Sequence, residues 1–251
     1  MVKRKDSLST RIMLLTLVAI LSSILIIGAI GVFSVKSEGD RDTSRHMNLI
    51  CDDRSKALNE FLKSVEQSVG MAARYATDDM DSVKLLQGGV IGADGYIKRS
   101  GNPQTDPKVQ EKLDTYLDEH TARVRAVIRS TANHTHDVYS CYYRINPQLT
   151  GRPIGFWFYK KTETSYSRIA LTNLSAYSEE DEAYVGWYYK ALEAGKPIWL
   201  EPYCNGDMGT KIVTYEIPIY KAGTFIGVVG MDISFDTLVE LMEDIHLYQS
   251  G

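Results

Sequence analysis

The sequence predicts an α+β chain in which an N-terminal transmembrane helix continues into a long helix packed on an antiparallel sheet. Three observations carry that reading. Residues 12–35 run for 24 positions without a charge. Between Met47 and Ala73 most apolar residues recur at steps of three or four, the spacing of one helix stripe. The second half of the chain holds aromatic-rich runs of alternating character, separated by glycine, proline and asparagine turns.

The uncharged run is long enough to cross a bilayer. As a helix it extends about 36 Å, slightly more than the hydrocarbon thickness of about 30 Å. A cleaved signal peptide is the competing reading, but its apolar stretch is about 7 to 15 residues, and Gly31-Val-Phe-Ser34 is a poor cleavage site. The reading is therefore an uncleaved signal anchor. Lys3, Arg4, Lys5 and Arg11 precede it, and mixed charges follow it, which orients residues 1–11 to the cytoplasm and everything from Lys36 onward outside.

After the anchor, the stripe over residues 47–73 belongs to a stalk helix at 36–77, with Gly39 and Arg54 as irregular points. Residues 88–95 are turn-rich, and residues 105–131 read as a second, polar and exposed helix beginning near Pro107. Residues 138–145 and 155–161 read as a hairpin. Ser178-Glu-Glu-Asp181 is a capping box, so a helix is expected over 179–194, stopped by Gly195. Tyr184, Trp187, Tyr188 and Ala191 share its face. A strand over 197–203 and a loop over 204–209 follow. Residues 212–220 and 224–233, joined by Lys221-Ala-Gly223, read as an antiparallel hairpin. In its second strand Ile226, Val228, Gly230 and Asp232 point one way and Phe225, Gly227, Val229 and Met231 the other. A glycine beside a carboxylate suits close approach of a ligand or another backbone. Ser234 then caps a helix over 235–244.

Composition excludes several functions. With 28 basic against 32 acidic residues, the net charge is −4, and the basic N-terminal stub leaves the remainder more acidic still. Such a body has no footprint for a phosphate backbone, so no nucleic-acid partner is expected. Cys51, Cys141 and Cys204 are too few for a disulfide scaffold and lack metal spacing, while a Cys141 to Cys204 bridge stays open. No G-x-S-x-G, H-E-x-x-H or metal-ligand cluster occurs, so neither enzymatic activity nor a cofactor is expected. His134 and His136 read as surface histidines, and Asn133-His-Thr135 is a weakly specific glycosylation pattern.

Trp187-Tyr-Tyr, Gly195-Lys-Pro-Ile-Trp-Leu-Glu-Pro-Tyr203, Val213-Thr-Tyr-Glu-Ile-Pro-Ile219 and Gly227-Val-Val-Gly-Met-Asp-Ile233 together resemble a Cache domain. They are similar to the membrane-distal module of the double Cache sensors of bacterial chemoreceptors, sensor histidine kinases and diguanylate cyclases. The resemblance implies a PAS-like sheet over residues 78–245 and a parallel homodimer through the long helix, although Arg54 interrupts any strict heptad. It further implies a ligand site at Trp187, Tyr188, Tyr203, Asn205, Tyr215 and Asp232. In the amino-acid-binding branch an arginine two residues before the tryptophan grips the ligand carboxylate. Val185 stands there in this chain, and Asn205 replaces an acid. A ligand carboxylate would then lack its charged partner. Asp232 and the aromatic residues instead suit an ammonium group. The expected ligand is a small amine, a quaternary ammonium or a neutral polar metabolite rather than an ordinary amino acid.

The functional expectation is extracytoplasmic small-molecule sensing. The double Cache layout also has a second module, a second span and an output domain, and residues 246–251 read as the start of that second module. The chain is therefore expected to be a fragment of a receptor. The alternative is a free-standing membrane-anchored module that binds a ligand or a protein.

Overall fold

The computed structural model describes residues 8–92, 106–150, 152–162 and 165–243. Most of the basic tail, the end of the turn-rich run, the onset of the second helix at Thr105 and the start of a second module lie outside them. Contacts divide the chain into two units, one reaching to Ser55 and the other beginning at Lys56.

In the first unit the chain is helical from Leu8, within helix α1 (Leu8–Asp78), and Gly39 does not interrupt it. Its apolar residues from Ile12 to Val35 are exposed, and the segment is long and apolar enough to cross a membrane. Thr16, Ser22 and Ser23 return their hydroxyls to carbonyls three or four residues back, so the segment presents few unbonded polar side-chain groups.

The second unit is three-layered. Its sheet comprises β1 (Val138–Ile145), β2 (Gly155–Thr162), β3 (Ser165–Ile169), β4 (Ile198–Trp199), β5 (Tyr203–Asn205), β6 (Thr210–Lys221) and β7 (Thr224–Ser234). The order is β3-β2-β1-β7-β6, with β4 and β5 pairing different stretches of β6, and every pairing is antiparallel. Both expected hairpins form. The β6–β7 turn places Ala222 at φ 49° and Gly223 at φ 78°, the paired positive angles of a tight hairpin turn. The expected strand over 197–203 is instead the two short strands β4 and β5. Pro202 and the Leu200 N–H, which donates to Thr214 at 2.8 Å, separate them.

One face of the sheet packs on α1 and α3 (Pro107–His134), through Val65, Val69, Ala72, Leu117, Val124 and Ile128 against Tyr143, Phe156, Val229 and Met231. The reading of α3 as exposed is thus corrected. A stripe from Leu113 to Ala132 is buried, but it includes His120, Thr121 and Thr131, which dilute its apolar periodicity. His120 is fully buried, with Nδ1 2.7 Å from Asp79 and Nε2 3.1 Å from the Tyr143 hydroxyl. Burial pushes its pKa down against the pull of Asp79, so the neutral ring donates to Asp79 and accepts from Tyr143. Arg123 also grips Asp79, at 2.8 Å. This network joins the residue after α1 to α3 and to the sheet.

Helix α4 (Glu182–Ala194) covers the other face, where Val185, Trp187, Tyr188 and Ala191 meet Tyr142, Trp157, Phe225 and Val228. It begins three residues later than expected. The Asp181 carboxylate accepts the Ser178 N–H at 2.9 Å rather than capping a helix N–H, which makes the box a turn. Gly195 ends the helix at φ 59°, as expected. A register shift near Ile219 moves Ile226 into the α1-facing core and Phe225 to the α4 side, so the alternation expected for β7 fails at these two residues. A short helix α2 (Ser82–Gln87) and a terminal helix α5 (Phe235–Glu243) complete the unit. All three cysteines are free, Cys141 buried and Cys204 exposed, so the open question of a bridge is answered in the negative.

A Cβ on Gly227 would lie 2.1 Å from the Arg144 carbonyl oxygen, whereas one on Gly70 of α1 would meet nothing within 4 Å. Gly227→Ala is therefore expected to destabilise the fold by about 2 kcal/mol or more. Gly70→Ala should stabilise it by about 0.5–1 kcal/mol. Denaturant midpoints read by tryptophan fluorescence, on the full chain in detergent, should move in opposite directions.

Candidate ligand-binding site

On the α4 side of the sheet, three strands align their residues in rows. Ser140, Asp232 and Thr214 form one row, and Tyr142, Gly230 and Glu216 the next. β7 lies centrally and is buried on both faces, so the Asp232 carboxyl has no solvent around it. Thr214 donates to its Oδ1 at 2.7 Å and Ser140 to its Oδ2. The Trp157 indole N–H in turn donates to the Ser140 oxygen at 3.0 Å. Burial still dominates over these hydrogen bonds, and the Asp232 pKa is pushed up to about 6.

In the adjacent row the Tyr142 phenol lies across Gly230 and donates to Glu216 Oε2 at 2.7 Å. A Cβ on Gly230 would stand 2.4 Å from the Tyr142 hydroxyl oxygen, so glycine is needed for this crossing. The close approach expected at Gly230 is therefore made by a neighbouring side chain. Glu216 is fully buried, its other oxygen has no partner, and burial holds its pKa well above the ordinary carboxylate value. No Lys or Arg among the described residues forms an ion pair with Glu216 or Asp232. Lys190, which acts on Glu216 from a distance, is paired with Glu182 at 2.7 Å.

Aromatic rings wall these carboxyls. Tyr142 and Trp187 centroids are 4.9 Å apart, and Trp157 lies 5.6 Å from each. The Trp187 indole N–H is spent on the Tyr184 carbonyl of its own helix, at 2.9 Å. Its ring therefore serves as an apolar wall. The Tyr203 hydroxyl stands 3.4 Å from Thr214, and burial followed by the Asp232 charge raises its pKa.

Of the six residues expected from the sequence, Trp187, Tyr203 and Asp232 come together here. Tyr188 is one step away, where its hydroxyl meets Asn146 at 3.1 Å beside a cleft of about 210 Å³. Asn205 accepts from the Asp207 and Met208 N–H groups, both at 3.0 Å, and so builds the β5–β6 turn. Its buried amide nitrogen lies toward Tyr203 without a well-formed bond. Tyr215 stands on the opposite face, its ring 4.9 Å from Trp199, and is not brought to the other five. Val185, at the position of the family's arginine, is fully buried in the apolar cluster. Ser140, Tyr142, Trp157, Thr214 and Glu216 were missed. Carrying the alternation of Val213-Thr-Tyr-Glu-Ile through β6 would have placed Thr214 and Glu216 beside Asp232.

Comparison with known proteins finds a family match over part of the chain. Residues 124–240 match the family model described as the first PDC sensor domain of methyl-accepting chemotaxis protein-like proteins. McpA, a methyl-accepting chemotaxis protein of Pseudomonas putida, is 39% identical over 61 residues, which is 24% of this chain and 9% of that protein. PctB of Pseudomonas aeruginosa is 28% identical over 97 residues, 39% of this chain and 15% of that one. The matched stretches thus span less than a sixth of either relative. Among solved structures, the ligand-binding domain of the amino-acid chemoreceptor PctC of Pseudomonas aeruginosa, solved with GABA, aligns with TM-score 0.41 at 16% identity, covering 80% of this chain and 65% of that one. The sensory domain of the Campylobacter jejuni chemoreceptor Tlp3 aligns with TM-score 0.33 at 15% identity, covering 75% and 66%. Residues 124–240, just under half of the chain, are therefore similar to the first PDC sensor domain of methyl-accepting chemotaxis protein-like proteins, the kind of module expected from the motifs.

Proposed function

We propose that the chain is the membrane-distal sensing module of a membrane-anchored receptor of the chemoreceptor type, and that it binds a small molecule carrying an ammonium group. The observation that carries this reading is the buried pair Asp232 and Glu216. Both are enclosed by aromatic rings and lack a cation, and one carboxylate oxygen has no partner at all. Burying two acids without a counter-charge is costly. A ligand ammonium would supply that charge, and the rings would add cation–π attraction of about 0.5–2 kcal/mol. Trp187 makes α4 the element that meets the ligand, and the role of the site is binding rather than catalysis. The basic N-terminus supports an orientation with residues 1–11 in the cytoplasm and the sensor unit outside.

Thermal-shift screening of the full chain in detergent tests the ligand class. Primary amines and quaternary ammonium compounds should raise the melting temperature, and simple carboxylates should not. A screen that returned only carboxylates would overturn the reading. Asp232→Asn should weaken amine binding at least about 30-fold.

The pH dependence follows from the raised Asp232 pKa. The empty folded protein binds more protons than the unfolded chain, so this group's stabilising contribution is complete below its ordinary value of 3.8 and is lost as pH rises through about 6. A bound ammonium requires the ionised carboxylate, so amine affinity should move the other way. Calorimetry at pH 5 should give binding about tenfold weaker than at pH 7.5, with proton release in the window around the raised pKa. Affinity that did not vary with pH would exclude Asp232 as the ammonium partner.

A further inference from the structure

On the opposite face of the sheet, one buried titratable group joins the end of α1 to the rest of the unit. The His120 ring of α3 lies between the Asp79 carboxylate, just past α1, and the Tyr143 hydroxyl of β1. Arg123 and Tyr116 on α3 and Lys221 on β6 are the other titratable groups around it, and Tyr75 of α1 acts on Arg123. Asp79 is the one carboxylate in this set. Arg123 already grips both of its oxygens, Nε to Oδ1 at 2.8 Å and Nη2 to Oδ2 at 2.9 Å. The same stretch of chain carries two more fasteners. The Tyr116 hydroxyl accepts the Asp81 N–H at 2.6 Å, and Lys221 donates to the Thr77 carbonyl at 2.8 Å.

We infer that His120 is a proton-operated release, and that its protonation loosens the end of α1 from α3 and the sheet. With the ring neutral, the charges of Asp79 and Arg123 cancel. A proton added at Nε2 leaves one positive charge uncompensated in a buried place, with Lys221 a further cation nearby. The same proton removes the acceptor of the Tyr143 hydroxyl. Burial keeps that phenol protonated, so its hydrogen must turn toward surroundings that include the Phe156 ring, and a buried hydrogen bond is lost. Asp79 does not take the proton instead. Burial raises its pKa, but the hydrogen bonds from Arg123 and His120 outweigh burial and hold it below the ordinary carboxylate value. Solvent reaches the joint, since the side chains of Asp79 and Arg123 are 15% and 44% exposed. Burial lowers the His120 pKa against the pull of Asp79, so the folded chain binds fewer protons than the unfolded one. The joint's contribution is complete above the ordinary histidine value of 6.5 and is lost as pH falls below it. The inference does not depend on the ammonium reading. The Asp232 contribution runs in the opposite direction, favouring the empty folded protein at pH 5 over pH 7.5.

Hydrogen exchange read by mass spectrometry on the full chain in detergent, at pH 7.5 and pH 5 and corrected for the intrinsic pH dependence of amide exchange, tests the inference. In the wild-type chain residues 72–83 should exchange at least about fivefold faster at pH 5, while residues 182–194 of α4 should not accelerate. His120→Gln keeps a donor and an acceptor but takes up no proton, so its acceleration should vanish. Arg123→Gln frees the Asp79 charge for the protonated ring, so its acceleration should shrink. Equal protection of residues 72–83 at both pH values, or acceleration of α4 to the same degree, would overturn the inference. So would an undiminished acid response in either variant. The wild-type comparison of the two segments decides the matter even if neither variant folds.

Discussion

The hydrogen bond from Tyr142 to Glu216 crosses the full width of a buried central strand, and most of the site depends on it. It requires glycine at position 230, because any Cβ there would occupy the space of the phenol. It requires Glu216 to turn inward from β6. It also lays the Tyr142 ring flat enough on the sheet for Trp187 of α4 and Trp157 of β2 to close around it. A buried acid with one satisfied oxygen and one orphan is an unfavourable choice for stability alone. Its presence, beside a second buried acid, distinguishes this face of the sheet from the face that meets α1.

That contrast follows from strand alternation in a sheet covered on both sides. Along β7, Val229, Met231 and Ile233 serve an apolar core with α1 and α3, while Gly230 and Asp232 serve the polar row under α4. Asp232 therefore sits directly between two residues of the core that anchors the long helix. The α1 side has its own polar fasteners. Glu66 accepts the Trp199 indole N–H at 2.8 Å, Lys221 donates to the Thr77 carbonyl at 2.8 Å, and Asp79 is held by His120 and Arg123. These bonds are satisfied, whereas Glu216 Oε1 and Arg144 Nε on the α4 side have no partner.

Elements with strong local signals were legible. The uncharged run, the Gly195 stop, the Ala222-Gly223 turn and the two hairpins each rest on a few adjacent residues. The exceptions have physical causes. In α3 the buried stripe carries His120, Thr121 and Thr131, and its burial depends on partners in Asp79 and Tyr143 far along the chain. At Ser178 the capping-box residues bond to each other and form a turn, because the same side chain suits either conformation. At Ile226 a register shift exchanges the faces of two neighbours, which no alternation rule anticipates.

The site divides in the same way. The motifs around Trp187, Tyr203 and Asp232 led to the expectation of an acid among aromatic residues, and Val185 at the position of the family's arginine was visible in the sequence. The sequence alone determined the long apolar helix, the fold class and the presence of a carboxylate at the end of a central strand, since these follow from hydropathy, periodicity and motif spacing. Only the tertiary structure decided that Tyr215 faces away, that Glu216 and Tyr142 join Asp232, and that Arg144 is buried without an anion. Those outcomes depend on which strands pair and in what register, and on which helix covers which face. They set the cost of each buried charge, and the order of residues along the chain does not encode them locally.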